Sequence, residues 1–476
     1  MHAMINIKSL LCAMLLSLAA MGGLAQNPDQ MRVWSSDVSS SVYRVDDVDS
    51  ITFDKGEYAE GVGDWTTPHF IGDTAQLVLT EEERAYVHAS NGFAKKCFSK
   101  ICATPSMGKA GEQNHFFSPL ALQMALAMCA NGASEGAKEE ILSALGFSGE
   151  HALENMNLYY NKIYNYLITN KDSVELAFPS ALWVREGLPV KKDFVDVATK
   201  NYYATVGHLD FSYDSLSLTS LINAWAKEVT QWRVGNLDAD IPSDCSLMLN
   251  VTDLVSGRWA GAFLASNSIG DFVSQNGESK RITYAKNTAC MCRLAQTERY
   301  QVLSFPFATY DYLGDSFVEI YFSPNVYNDS IQRFSVAFLI PNEGEDLDDV
   351  LADVQWESIP FEWKTSVLGV PFFSYISQTY EWRDCLKELG IRKLFEEPFS
   401  SVDGVLSSCR QDGRIDIFNT GVNASIVSPQ YVHGTGPGWG TGAYVSVLLS
   451  RPYVFAVMDN STGLLLSMGR INGFPK

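Results

Sequence analysis

Arg451-Pro452-Tyr453-Val454-Phe455, Asp459-Asn460-Ser461-Thr462-Gly463 and Met468-Gly469-Arg470 punctuate the last part of the chain. Between these marks, Tyr453 to Asp459 and Leu464 to Arg470 read as two strands. Moving back along the chain, Tyr444 to Leu449, Arg414 to Phe418, Phe334 to Ile340, Phe317 to Phe322, Val302 to Phe307, Leu247 to Val255 and Val174 to Val184 also read as strands. Farther upstream the pattern turns helical. Thr80-Glu81-Glu82-Glu83 is a capping box that opens a helix through about Ala103. Ser118 to Asn131 is a strongly apolar helix with Pro119 in its first turn, and Lys138 to Leu145 is ended by Gly146. Met156 to Ile168 and Asp193 to Tyr203 follow. Helices first and mostly strands later predict an α+β domain with antiparallel or mixed sheets.

The chain has 476 residues, 46% of them hydrophobic, so it can bury a large core and is no disulfide-stapled miniprotein. Charged residues make up 19%, which argues against disorder over most of the length. Lys plus Arg is 35 against 55 Asp plus Glu, a formal charge of −20. That field repels phosphate backbones and anionic lipid heads, so no nucleic-acid partner is expected.

Residues 1–25 read as a signal peptide. Lys8 precedes an apolar run from Ser9 to Met21, too short to span a bilayer, and Gly23-Leu24-Ala25 places small residues before a cut ahead of Gln26. No later stretch looks transmembrane, so a soluble, exported protein is expected, extracellular or periplasmic. Residues 26–76 read as a small β-rich appendage and linker: Met31 to Trp34, Val42 to Val45 and Val48 to Phe53 alternate as strands, then Gly56, Gly61, Gly63 and Pro68 break the pattern. The main domain is assigned to 77–476. Its eight cysteines are scattered. Cys290-Met291-Cys292 is the one close pair, and no His lies between His208 and His433 to complete a metal site. Unpaired thiols and no metal are expected.

Gly132-Ala133-Ser134-Glu135-Gly136 has the spacing of a hydrolase nucleophile elbow. That elbow needs a strand before it, whereas a helix precedes this one, and the late His433 sits in a glycine-rich stretch with nothing to orient it. The segment reads as a helix-to-helix turn. No catalytic constellation and no cofactor fingerprint appears, so the protein is not expected to be an enzyme.

Asn114-His115-Phe116-Phe117-Ser118-Pro119-Leu120, Ala125-Leu126-Ala127-Met128, Gly132-Ala133 through Glu140-Ile141-Leu142, and Leu145-Gly146-Phe147 resemble the N-terminal helices of a serpin. Ala181-Leu182-Trp183, Ile222-Asn223-Ala224-Trp225, Gly257-Arg258-Trp259, Leu339-Ile340-Pro341-Asn342-Glu343-Gly344, Leu389-Gly390-Ile391 and the C-terminal marks follow in serpin order. The resemblance covers about residues 80–476. It implies a serpin fold of about nine helices, three mostly antiparallel sheets and an exposed reactive loop, here about 421–446. It also implies a suicide-substrate inhibitor of a serine or cysteine endopeptidase. The protease cuts the loop and is held as an acyl-enzyme while the loop inserts into a sheet. This behaviour is a stock example of strand addition and strain release. A monomer is expected.

The resemblance places the loop hinge at Gly421, Val422, Asn423, Ala424, Ser425 and Ile426, entered through Ile415 to Thr420. Inhibitory members usually carry two acids, Gly, Thr and an alanine-rich run. Here Asn419 and Thr420 replace the acids, which points to the alternative, a non-inhibitory serpin acting as a binding or structural protein. Val422, Ala424 and Ile426 alternate with Asn423 and Ser425, as suits a strand with one buried face. Ile426 is bulky, and Pro429 lacks the N–H that a central strand needs, so insertion is expected to stall near Ser428. The scissile bond is Thr435-Gly436 counted from the hinge, or Thr441-Gly442 counted back from Pro452. No Lys or Arg lies between Arg414 and Arg451, so an elastase-, chymotrypsin- or subtilisin-like target is expected rather than a trypsin-like one. The polar groups that control sheet opening in the family fall at Ser118 and Gln411, where Gln411 stands in for a histidine. The family's asparagine is either displaced to Asn250 or lost.

Overall fold

The computed structural model describes residues 30–34, 40–44, 63–65, 77–103, 114–168, 174–229, 241, 243–258, 263–287, 290–307, 310–313, 316–319, 333–371, 373–418, 421–422 and 445–474. Two compact units divide at Val62/Gly63. In the first, β1 (Gln30–Trp34) and β2 (Ser40–Arg44) form an antiparallel hairpin from Gln30↔Arg44 to Trp34↔Ser40. The expected strand at Val48 to Phe53 lies outside the described residues.

The second unit begins with β3 (Gly63–Trp65), within the stretch read from sequence as appendage and linker. The helices follow where their caps direct. The α1 helix (Glu81–Ala103) opens on a reciprocal box: Thr80 N donates to Glu83 Oε2 at 2.7 Å and Glu83 N to Thr80 Oγ1 at 3.2 Å. After β4 (His115–Phe117), α2 (Pro119–Ala130) is buried along its whole length. The α3 helix (Glu135–Leu145) is capped by Ser134 and closed by Gly146 at φ 84°, a left-handed turn that glycine adopts without strain. Next come α4 (Ala152–Ile168), β5 (Val174–Ala177), β6 (Ser180–Arg185), α5 (Lys192–Asn201), β7 (Thr205–Leu209) and α6 (Ser215–Val229). The expected strand from Val174 to Val184 is thus two strands, broken at Phe178-Pro179.

The remaining elements are mostly strands: β8 (Leu247–Arg258), β9 (Phe263–Val273), β10 (Ser279–Asn287), β11 (Cys290–Gln296), β12 (Tyr300–Pro306), β13 (Tyr310–Leu313), β14 (Ser316–Glu319) and β15 (Phe334–Pro341). After α7 (Leu347–Asp353) come β16 (Glu362–Pro371), β17 (Phe373–Glu381), α8 (Arg383–Glu388), β18 (Leu406–Phe418), β19 (Gly421–Val422), β20 (Val445–Leu448), β21 (Tyr453–Asp459) and β22 (Leu465–Ile471). Eight α-helices and a mixed set of sheets make the fold α+β among the described residues.

One sheet has eight strands in the order β17-β18-β19-β8-β6-β7-β3, with β5 also on β8. A second hydrogen-bonded path runs β4-β22-β21-β15-β12-β11 and continues through β16-β10-β9, with β20 on β16. These two parts supply the second and third sheets of the expected architecture. The α2 helix packs against β22 and β8, and so lies between sheets. On the eight-stranded sheet, Trp225 of α6 meets Trp183 of β6 edge to face at 5.8 Å, and its Nε1 donates to Thr205 Oγ1 on β7 at 3.1 Å.

The C-terminal marks have packing reasons. Asp459 is buried, and its carboxylate accepts from Tyr166 Oη at 2.7 Å, Thr462 N at 2.9 Å and Thr462 Oγ1 at 2.7 Å, which holds the β21–β22 turn. Gly469 lies against the ring of Phe455 on β21, where a methyl group would overlap the ring. Gly469→Ala is therefore expected to destabilise the protein by about 1–3 kcal/mol, measured as a drop in the denaturant midpoint.

His115 is buried beside Arg470, its register partner on β22, and Tyr380 Oη lies 3.4 Å from its Nδ1. Burial first, and then the Arg470 charge, hold the imidazole down to about 4. The unfolded chain keeps an ordinary histidine near 6.5. Stability that is full above that pH is thus lost progressively between about pH 6.5 and 4, as the unfolded state takes up the proton first. Unfolding free energies from denaturant titrations at pH 7.5 and 4.5 should differ by about 2–3 kcal/mol more in the natural protein than in His115→Gln.

Candidate functional site

The site is the seam between β8 and β18. The two strands pair in parallel, with Asn250↔Arg410, Val251↔Gln411, Thr252↔Asp412 and Asp253↔Gly413. Beyond Gly413 they part, and β19 takes the opening. Gly421 pairs with Phe418 on one side and Arg258 on the other, and Val422 with Ile417 and Gly257. The first two hinge residues thus already form an antiparallel rung between the central strands. The other hinge residues, Asn423, Ala424, Ser425 and Ile426, lie outside the described residues. So do the candidate scissile residues Thr435, Gly436, Thr441 and Gly442, the signal segment 1–25 and His433.

The sequence signal for β18 was incomplete. Only Arg414 to Phe418 read as a strand, while Leu406–Phe418 forms one. Ser407, Ser408, Arg410, Gln411 and Asp412 mask the apolar alternation, and their backbone is held by neighbours that only the fold supplies. Glu381 at the end of β17 supplies part of this. Its carboxylate accepts from Cys409 N at 3.0 Å, bonds the Ser408 hydroxyl and lies 3.5 Å from Arg410 Nε. Side chains therefore clamp the antiparallel β17–β18 pair, whereas the β8–β18 pair is parallel and intrinsically weaker per residue.

Beneath the seam, the structure brings Ser118 and Gln411 together. Ser118 caps α2: its Oγ accepts from Ala121 N at 3.2 Å and donates to Leu466 O at 2.7 Å. Gln411, fully buried, donates from Nε2 to the Ser118 carbonyl at 2.7 Å. This bond ties the seam to the helix beneath the sheet. Asn250 does not join them. The position opposite Gln411 is Val251, and neighbouring residues on a strand point to opposite faces, so Asn250 serves the other face. Gln411 Oε1, Asn250 Oδ1 and Thr252 Oγ1 are all buried without a hydrogen-bond partner. Unmet polar atoms at this depth weaken the closed seam.

Ser134 is a helix cap. Its Oγ accepts from Ala137 N at 3.1 Å and bonds the Glu397 carboxylate. Ser134→Ala should cost about 1 kcal/mol of stability and alter no chemistry, as read by a denaturant midpoint and an ester-hydrolysis assay. Cys97, Cys102, Cys129, Cys245, Cys292, Cys385 and Cys409 are free thiols, and burial pushes the Cys129 thiol up to about 12. Among the described residues no cluster could hold a metal ion, and no helix is long and apolar enough to cross a membrane.

Residues 88–473 match the family model described as serpin (serine protease inhibitor). An uncharacterized serpin-like protein of Methanosarcina acetivorans is 23% identical over 80% of this chain and 86% of its own length. Among solved structures, Serpin48 of the insect Tenebrio molitor superposes with a TM-score of 0.68 at 19% identity, covering 83% of this chain and all of its own. Human thyroxine-binding globulin, in a hormone complex, superposes with a TM-score of 0.67 at 19% identity, covering 83% of this chain and all of its own.

Proposed function

The chain belongs to the serpin family, and on that premise we propose that it is a secreted, monomeric suicide-substrate inhibitor of an endopeptidase. Serpins in general are inhibitors of proteases and supply no catalytic group of their own. The nucleophile and base belong to the target. The protease hydroxyl or thiol attacks the carbonyl carbon of Thr435 or Thr441, the peptide C–N bond breaks, and the amine of Gly436 or Gly442 leaves with a proton from the protease base. An ester or thioester to this chain remains. Insertion of the freed loop as a strand then carries the protease away from the geometry that deacylation needs.

One observation carries the reading: Gly421 and Val422 already form a rung between β8 and β18, at the point where those strands part. The hinge lacks the family's acids, yet the strand it must become has begun. Secretion rests on residues 1–25, and the target class on the absence of Lys and Arg between Arg414 and Arg451.

The second reading, a non-inhibitory serpin, is favoured by Asn419 and Thr420 in place of the hinge acids. Thyroxine-binding globulin, which shares this fold, is solved with its hormone bound, which supports a binding role as the second reading.

Incubation with elastase-, chymotrypsin-, subtilisin-, trypsin- and papain-like proteases, read on a denaturing gel with cut sites by mass spectrometry, separates the two. Inhibition gives an SDS-stable complex cut between Pro429 and Tyr444. Clean cleavage with no complex supports the second reading. Trapping of trypsin at Arg414 or Arg451 overturns the loop assignment. Ala424→Arg places a charge on the inserting face at a cost of several kcal/mol, so it should abolish the complex while leaving cleavage intact.

A further inference from the structure

At one side the eight-stranded sheet ends on β3. Its neighbour β7 runs parallel to β6 on the inner side, from Ala181↔Thr205 to Arg185↔Leu209. On the outer side it is antiparallel to β3, through Gly63↔Leu209, Asp64↔His208 and Trp65↔Gly207. Leu209 O accepts from Glu186 N at 2.9 Å, just past the end of β6, so the backbone groups of Leu209 face inward. These groups alternate sides along a strand, which turns the N–H and C=O of His208 outward, toward Asp64. Asp64 and His208 are therefore the hydrogen-bonded pair of the ladder, exchanging both N–H···O bonds. Val206 has the same parity as His208, but β3 stops short of it. Among the described residues no strand lies outside Thr205 and Val206.

An outer strand with free backbone groups recruits another strand unless Lys, Pro, a bulge or an inward-pointing charge blunts it. The β7 strand reads Thr205-Val206-Gly207-His208-Leu209, with no Lys, Pro or carboxylate, and its pairing with β6 is even throughout. It is also self-complementary. Two copies set antiparallel about Gly207 place Val206 opposite His208, Thr205 opposite Leu209 and Ala204 opposite Asp210, so no like charges face each other. That is the isologous arrangement of a two-fold dimer. We infer that β3 is an edge guard: it occupies the outer edge of β7 and keeps a second copy of this chain from pairing there. Three residues and one hydrogen-bonded pair make the guard, so the loss of a single backbone donor opens the edge.

The test uses the full chain, by sedimentation equilibrium over a range of concentrations and by amide hydrogen exchange. The natural protein is compared with Asp64→Ala, which keeps the backbone N–H, and Asp64→Pro, which removes it. Natural protein and Asp64→Ala should sediment as monomers. Asp64→Pro should dimerise as its concentration rises. When dilute and monomeric, its His208 amide should exchange about tenfold faster than in the natural protein. Asp64→Gly/Trp65→Gly, which loosens β3 without a proline, should dimerise at higher concentration than Asp64→Pro. Adding Val206→Lys to either variant places a cation on the open edge and should restore the monomer while His208 exchange stays fast. A natural protein that dimerises overturns the guard. So do variants that stay monomeric at every concentration, and association that survives Val206→Lys. Unchanged His208 exchange in both β3 variants overturns the pairing itself. No protease enters these measurements, so their failure is distinct from failure of the inhibitory reading.

Discussion

Two parallel strands, β8 and β18, meet along a ladder that runs only part of their length. Everything else in the unit bears on that seam. Parallel pairing is weaker per residue than the antiparallel pairing on either side of it; the Glu381 carboxylate reinforces β17 on β18, and Ser407 Oγ on β18 accepts from Ser246 N just ahead of β8. The rung Gly421–Val422 stands between the two strands beyond the end of that ladder.

The remainder of the fold acts as a frame for this weak line. The α2 helix is buried on every side and cannot shift without disturbing the core. It presents its N-cap to the seam, and Gln411 is anchored to that cap through the Ser118 carbonyl while Ser118 Oγ is anchored to β22. A chain of three hydrogen-bonding groups thus connects the central strand to the opposite sheet. Asp459 and Gly469 secure β21 and β22 against each other, so the far end of that chain is rigid. The front face is covered by α6 through the Trp183–Trp225 pair.

Much of the fold was legible in the sequence. The capping box at Thr80, the apolar helix from Ser118, the turn at Ser134 and the glycine stop at Gly146 are local signals whose partners lie within a few residues, and each helix formed near its expected bounds. The final hairpin was equally plain. Strands β9, β10, β16 and β17 did not announce themselves, and β18 did so only in its last third. Polar residues such as Ser279-Lys280-Arg281 and Ser407-Ser408 sit in those strands, and their fit comes from neighbours far away in the chain. Residues Gly63–Trp65 read as linker, yet they pair with β7, because three residues on a sheet edge carry too little pattern to be seen alone.

By itself the sequence determined the α+β class, the serpin resemblance and the alternation in the hinge, because these rest on local chemistry and short-range order. Tertiary structure alone decided which residue faces Gln411. Asn250 and Val251 are neighbours in sequence, and a strand's alternation sends them to opposite faces, so a one-residue shift in register separates a polar partner from an apolar one. No property of either residue reveals that register. It is set by the pairing of strands some 160 positions apart.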